Sequence, residues 1–95
     1  MFLGRYDYDG DPSKLAAAYD RMMADIPGEA VPFHACVTHA DGLSVFDCCP
    51  SREVFEQFST SPEFLGMMRE AQLPAPRITL LGDVHVARAG DRRIV

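Results

Sequence analysis

The chain has 95 residues, of which 47% are hydrophobic, and a formal net charge of −5, values that fit one small globular domain. The acidic balance argues against binding to nucleic acid or to an anionic membrane. No apolar run is long enough to span a membrane, and the N-terminus lacks the basic and apolar regions of a signal peptide. Three cysteines without a C-x-x-C motif fit a reducing compartment, so we expect a cytoplasmic protein.

The first part of the chain predicts a strand followed by a helix. Side chains alternate loosely over residues 2–9, as they do in a strand. Asp11 is a suitable N-cap and Pro12 a suitable first helical residue, and apolar residues then recur at helical spacing to about Asp25. Pro27-Gly28 is predicted to end this helix.

A hairpin is predicted next. Two strand-like runs, 33–40 and 43–49, flank the dipeptide Asp41-Gly42, which tolerates the positive φ angles of a type I′ turn. With this two-residue turn, Ala40 opposes Leu43, and alternation then sorts the remaining side chains into two faces.

The two faces of this hairpin differ in chemistry. One face carries His34, Cys36, Asp47 and Cys49. The other face is almost wholly apolar and carries Phe33, Ala35, Val37, Phe46 and Cys48. We therefore expect the apolar set to pack under the helices and the polar set to lie on the open face of the sheet.

The second half predicts a broken helix and a last strand. Ser51 is a plausible cap, and the helix restarts at Ser61-Pro62. Residues 77–88 are long and apolar enough for a strand with a bulge at Gly82. Residues 1–88 would then form one domain, and residues 89–95 a C-terminal tail.

The resulting order is βαββαβ, which predicts an α+β, ferredoxin-like fold. Such a fold has a four-stranded antiparallel sheet with the helices on one face. In the first strand, Phe2, Gly4, Tyr6 and Tyr8 suit the helix side, whereas Arg5 and, from the last strand, His85 suit the open face. A bare apolar face is a liability in so small a chain, so we expect a homodimer that covers it.

The sequence S-R-E-V-F-E-Q-F at residues 51–58, followed by S-P-E-F at residues 61–64, resembles an element of the dimeric α+β barrel superfamily. The βαββαβ order and the Asp41-Gly42 hairpin match as well. This group contains antibiotic-biosynthesis-monooxygenase-like proteins, and the resemblance implies two sheets packed face to face as a barrel with a ligand pocket in each subunit. The chain has no Trp and so departs from the haem-degrading branch, whose pattern uses Asn, Trp and His; we expect no cofactor.

The function predicted on this basis is a monooxygenase-like reaction without a cofactor, on a small aromatic or apolar substrate. The candidate catalytic residues are His34, Asp47 and His85, because a His near a carboxylate titrates close to neutral pH. The candidate ligand-binding residues are Arg5, Tyr6, Cys36 and Cys49. In this hypothesis the polar groups position and deprotonate the substrate, and its carbanion reacts directly with oxygen.

Several alternatives stay open at this stage, including whether the protein is an enzyme. The four polar hairpin residues have the chemistry of zinc ligands, but strand-mounted side chains diverge, so we expect no metal. Cys49 precedes a helix and is the best candidate for a reactive thiol, although free cysteines are more often buried small hydrophobes. The alternative function is a non-catalytic homodimer module that binds a small ligand or is purely structural.

Overall fold

In a computed structural model, which describes residues 1–26 and 33–95, the chain folds as an α+β protein. The elements are β1 (Phe2–Asp9), α1 (Pro12–Met23), β2 (Phe33–His39), β3 (Gly42–Cys49), α2 (Arg52–Ser59), α3 (Pro62–Glu70), β4 (Arg77–Asp83), β5 (Arg88–Ala89) and β6 (Arg92–Arg93). Strands β1 to β4 form an antiparallel sheet in the order β2-β3-β1-β4. The α+β class and the antiparallel sheet are confirmed, and the strand order is consistent with a ferredoxin-like arrangement.

The helices begin where the sequence predicts. Asp11 accepts hydrogen bonds from the backbone N–H groups of Ser13 and Lys14, at 2.9 and 3.2 Å, and Pro12 is the first residue of α1. Ser51 and Ser61 cap α2 and α3 in the same manner. α1 ends at Met23, and the predicted stop at Pro27-Gly28 lies outside the described residues.

The core lies between the helices and one face of the sheet, which we call the helix face. Phe2, Tyr6 and Tyr8 are buried there, as the alternation in β1 predicts. Residue 4 lies on this face too, and it is a glycine because Phe55 occupies the adjacent space. A Cβ atom at residue 4 would lie 2.1 Å from Phe55 Cζ. The aromatic rings of Phe55 and Tyr6 pack with their centroids 5.4 Å apart.

The predicted register of the hairpin is wrong by two residues. His39 pairs with Gly42, so Ala40 and Asp41 form the turn and Gly42 is the first residue of β3. Gly42 has a φ of +156°, and a Cβ atom there would lie 2.0 Å from the carbonyl oxygen of Tyr8. This close approach to β1 places the glycine inside the strand rather than in the turn.

The predicted assignment of faces is also wrong, although the grouping of side chains is right. A slip of two residues keeps every side chain on its own side of the strand. Asp47 and Cys49 pair with Gly4 and Phe2 of β1, so they lie on the helix face, as does His34 opposite Asp47. The apolar set lies instead on the opposite side of the sheet, the open face: Phe33, Ala35, Val37, Phe46 and Cys48.

The last strand is shorter than predicted. β4 ends at Asp83, and the register with β1 shifts between Leu3 and Gly4, which confirms a bulge next to Gly82. Residues 88–93, which were expected to end the strand and begin a frayed tail, form the two-stranded hairpin of β5 and β6 instead.

Candidate functional site

A cavity of about 250 Å³ lies between the helix face of the sheet and the helices. Its floor is formed by β1, β2 and β3, through side chains that alternation directs to this face. These floor residues are Tyr6, Tyr8, His34, Val45, Asp47 and Cys49. The cavity is therefore built on the most regular part of the molecule, where strand pairing fixes the position of each side chain.

The helices supply an apolar roof that includes one phenol. The roof residues include Tyr19 and Met22 from α1, Val54 and Phe58 from α2, and Phe64 and Met67 from α3. Methionine side chains adapt to irregular shapes, and aromatic rings offer large flat contact areas. Such walls suit a small apolar or aromatic molecule.

Two of the tyrosines that line this cavity have a hydroxyl group without a hydrogen-bond partner among the described residues. Tyr6 is 2% exposed and Tyr19 is 7% exposed, and the hydroxyl oxygen of each is buried and unpaired. A buried polar group without a partner costs about 1–3 kcal/mol. The neighbouring Tyr8, by contrast, donates to the Sδ atom of Met68 at 3.2 Å.

Asp47 adds a carboxyl group to the two phenols. Burial raises the pKa of Asp47, while the nearby His34 and a hydrogen bond from the backbone N–H of Cys48 act in the opposite direction. Burial is also the largest cause that raises the pKa of Tyr19 to about 12 and that of Tyr6 still higher, and the charge of Asp47 contributes to both shifts. The three groups therefore interact electrostatically across the same cavity.

The cysteine thiols are not poised for nucleophilic chemistry. Burial, followed by the charge of Asp47, raises the pKa of Cys49 to about 11, and its thiol lies 3.9 Å from Asp47 Oδ2. Burial likewise raises the pKa of Cys36 and of Cys48. All three thiols are therefore protonated at neutral pH, and the reactive-thiol interpretation of Cys49 finds no support.

The structure brings some of the predicted site residues together and separates others. His34, Asp47, Tyr6 and Cys49 line the cavity. Cys36 lies on the same face but does not line the cavity, and it is exposed. Arg5 lies on the open face of β1, and His85 is exposed beyond the end of β4, so neither contributes to this cavity.

Sequence reasoning treated Tyr19 only as part of the apolar stripe of α1. The signal that separates it from its neighbours is the hydroxyl, because the centre of an apolar stripe needs no polar atom. His34 was identified, and its ring centroid lies 6.3 Å from that of Tyr19. Its side chain is exposed, so His34 stands at the rim of the cavity.

The open face carries a hydrogen-bonded set of polar side chains, which was not predicted from the sequence. Arg5 Nε donates to Asp7 Oδ2 at 2.9 Å, and Ser44 Oγ donates to Asp7 Oδ1 at 2.6 Å. His39 Nε2 lies 3.1 Å from Ser44 Oγ. Because the only hydroxyl proton of Ser44 is directed to Asp7, His39 must donate through Nε2–H. We call these four residues the open-face chain.

In comparisons with protein-family models, with curated proteins and with solved structures, this chain has no significant match. Among the described residues, no group of three or more His, Cys, Asp or Glu side chains is arranged to hold a metal ion. None of the helices within residues 1–26 and 33–95 has both the length and the apolar character needed to cross a membrane. The α+β fold and the helix-face cavity are thus the basis for a functional proposal.

Proposed function

We propose that this protein binds a small, largely apolar molecule with a polar group, in the helix-face cavity. The observation that carries the proposal is the pair of buried hydroxyls of Tyr6 and Tyr19, which have no partner in the described part of the chain and belong to side chains that line a largely apolar cavity together with Asp47. A purely structural core would leave such hydroxyls out, since unsatisfied polar atoms destabilise the folded state. A ligand that reaches these groups removes this penalty upon binding.

The test is a screen of small aromatic compounds by NMR, with the amide resonances of the cavity residues as the readout. We expect hits to shift resonances of β1, β3 and α1 and to raise the melting temperature, because a ligand bound only to the folded state stabilises it. Val45→Phe places extra atoms on the cavity floor and is expected to abolish binding. Hits that bind this variant as well as they bind the original chain would place the ligand elsewhere.

A second candidate is oxygenation of the bound molecule without a cofactor, which is favoured by the presence of His34 opposite Asp47 in the strand register. His34 would take the hydroxyl proton of a hydroxylated aromatic substrate, and the carbanionic ring carbon of the resulting phenolate would form a C–O bond with oxygen. His34 would return the proton to the peroxide, and cleavage of its O–O bond would release water and leave a quinone, so that the substrate itself supplies the electrons. Arg5 and His85 do not line the helix-face cavity, so this candidate reaction assigns them no direct role. Oxygen uptake above that of His34→Ala would support it, and equal uptake by the two proteins would refute it.

We further propose that a second copy of the chain covers the open face, which would complete the ferredoxin-like, barrel-type dimer that the resemblance implies. Val37 is 45% exposed on this face, next to the half-buried Ala35 and Phe46. Sedimentation equilibrium is expected to give twice the mass of the chain, and Val37→Lys to give a monomer. A monomeric original chain at millimolar concentration would refute this proposal.

A further inference from the structure

The helix-face cavity has one carboxyl group and no ammonium or guanidinium group in the described part of the chain. Asp47 is the only carboxylate among the described residues that line it, and no Lys or Arg lines it there. Residues 27–32, by sequence, contain no Lys, Arg or His. His34 is the one cationic candidate among the lining residues, and it stands exposed at the rim.

Asp47 also has few partners within the protein. It takes part in no ion pair among the described residues. It accepts a hydrogen bond from the backbone N–H of Cys48, and the thiol of Cys49 lies at the long distance of 3.9 Å from Oδ2. An ionised carboxylate accepts about four hydrogen bonds, so this one has unused capacity.

The aromatic side chains around Asp47 add a second attraction for positive charge. The charge of Asp47 contributes to the raised pKa of both Tyr6 and Tyr19. Both tyrosines line the cavity together with Phe58 and Phe64. The faces of aromatic rings attract organic cations, most strongly where water is excluded. An anionic ligand would meet the carboxylate as a like charge, and a neutral ligand could not form the ion pair.

We propose that the ligand of this cavity is a small organic cation, an apolar or aromatic molecule with a protonated amine that pairs with Asp47 among the tyrosine rings. This inference rests on the proposed binding function and adds the charge of the ligand to it. Burial shifts the titration of Asp47 toward the neutral acid in the empty cavity, and a bound ammonium group would restore the carboxylate.

The test uses three probes of nearly equal shape and different charge: phenethylamine, 2-phenylethanol and phenylacetate. Their dissociation constants are measured by NMR titration of the full chain at pH 7.5. We expect phenethylamine to bind at least about tenfold more tightly than 2-phenylethanol, and phenylacetate to bind most weakly. Asp47→Asn should reduce this preference to less than about threefold, with the affinity for the alcohol unchanged.

The control variant is Glu70→Gln, which removes an exposed carboxylate at the end of α3, outside the cavity lining. It should keep the preference of the original chain. If all three probes bind equally, or phenylacetate binds best, the cation inference is overturned while the binding function stands. If no probe binds, the binding function fails as well.

A second measurement avoids the variant altogether. The carboxyl carbon of Asp47 is followed by NMR across pH with and without phenethylamine, and the amine should lower its pKa. The titratable groups that face Asp47 are His34 from β2, Tyr6 from β1, Tyr19 from α1 and Cys49 from β3; among the described residues, α2 and α3 direct no charged group into the cavity. An Asp47 titration that the amine leaves unchanged would overturn the inference.

Discussion

The two faces of the sheet hold polar groups in opposite conditions. On the open face, Asp7 and Ser44 are bonded on both sides, and each link of the open-face chain has a partner. On the side of the helix face, the hydroxyls of Tyr6 in the sheet and of Tyr19 in α1 are more deeply buried and have no partner among the described residues. A satisfied network stabilises and fixes the fold, whereas an unsatisfied group is retained against stability. This contrast supports the proposal that a ligand binds on the helix side of the sheet.

The largest effect is expected where the open-face chain is cut in the middle. Ser44→Ala removes the hydrogen bond to Asp7 Oδ1, while Asp7 Oδ2 keeps the bond from Arg5, and it also removes the partner of His39. The loss of a hydrogen bond to a charged carboxylate should lower the free energy of unfolding by about 2 kcal/mol. Urea denaturation measures the change. The control is Ser59→Ala, because the Ser59 hydroxyl donates to the Glu56 carbonyl, which keeps bonds from Thr60. Equal losses in the two variants would show that the chain contributes nothing.

Two carboxyl groups should give stability profiles of opposite sign. The hydrogen bond from Ser44 is the main cause that lowers the pKa of Asp7, so its contribution is present above the ordinary carboxyl pKa and is lost as pH falls through the lowered value. Burial raises the pKa of Asp47 in the folded protein. The folded protein therefore loses stability as the pH rises from the ordinary carboxyl pKa through this raised pKa.

The corresponding variants convert these signs into a measurement. At pH 7, the free energy of unfolding should fall by about 1–2 kcal/mol in Asp7→Asn and rise by about 1 kcal/mol in Asp47→Asn. The ion pair with Arg5 should contribute little to the Asp7 value because the Arg5 side chain is partly exposed. The Asp47 difference should shrink as the pH falls below about 4, and the Asp7 difference should shrink at a still lower pH, as the pH falls through the lowered pKa of Asp7. Urea denaturation at several pH values tests this, and profiles of the same sign would contradict it.

Smaller changes are expected from removing single phenol hydroxyls. Tyr6→Phe and Tyr19→Phe should each raise the free energy of unfolding by about 1 kcal/mol, because each removes a buried hydroxyl that has no partner within residues 1–26 and 33–95. Tyr8→Phe is the matched control and should lower it slightly, since it loses the bond to Met68. A loss of stability in all three variants would mean that the two cavity hydroxyls have partners after all.

The smallest effect concerns thiol reactivity. Cys36 is exposed, whereas Cys48 and Cys49 are buried on opposite faces. Iodoacetamide should therefore modify Cys36 first, and slowly at neutral pH because its pKa is raised. Mass spectrometry of partly modified protein identifies the site. Early modification of Cys49 would indicate that the cavity opens to solvent more than its burial implies.

Local signals in the sequence predicted the elements well. Asp11, Ser51 and Ser61 predict the helix starts correctly, because a capping side chain bonds to backbone N–H groups within three residues of its own position. The alternation in β1 was also sufficient, because Tyr6 and Tyr8 are buried by the helices they face. These predictions depend on neighbours in the chain and need no knowledge of distant contacts.

The site was less predictable because its position depends on distant contacts. Gly42 is the first residue of β3, and the carbonyl oxygen of Tyr8 in β1 leaves no room for a side chain there. The dipeptide Asp41-Gly42 alone does not reveal this contact. The apolar face with Val37 and Phe46 resembled a core, yet the helices cover the polar face of Asp47. Packing decides which face of a sheet the helices cover. The polarity of the side chains is a poor guide to that face where polar side chains line a cavity under the helices.

Gly4 has a consequence for any attempt to reshape the cavity. The Phe55 ring fills the space that a side chain at residue 4 would occupy, and the same ring packs against the Tyr6 ring. Enlarging residue 4 alone would push the Phe55 ring toward Tyr6 and move the Tyr6 hydroxyl in the cavity that we propose as the binding site. A change in the accepted ligand size should therefore be sought in compensating pairs such as Gly4→Ala with Phe55→Leu, which exchange volume across the sheet–helix boundary.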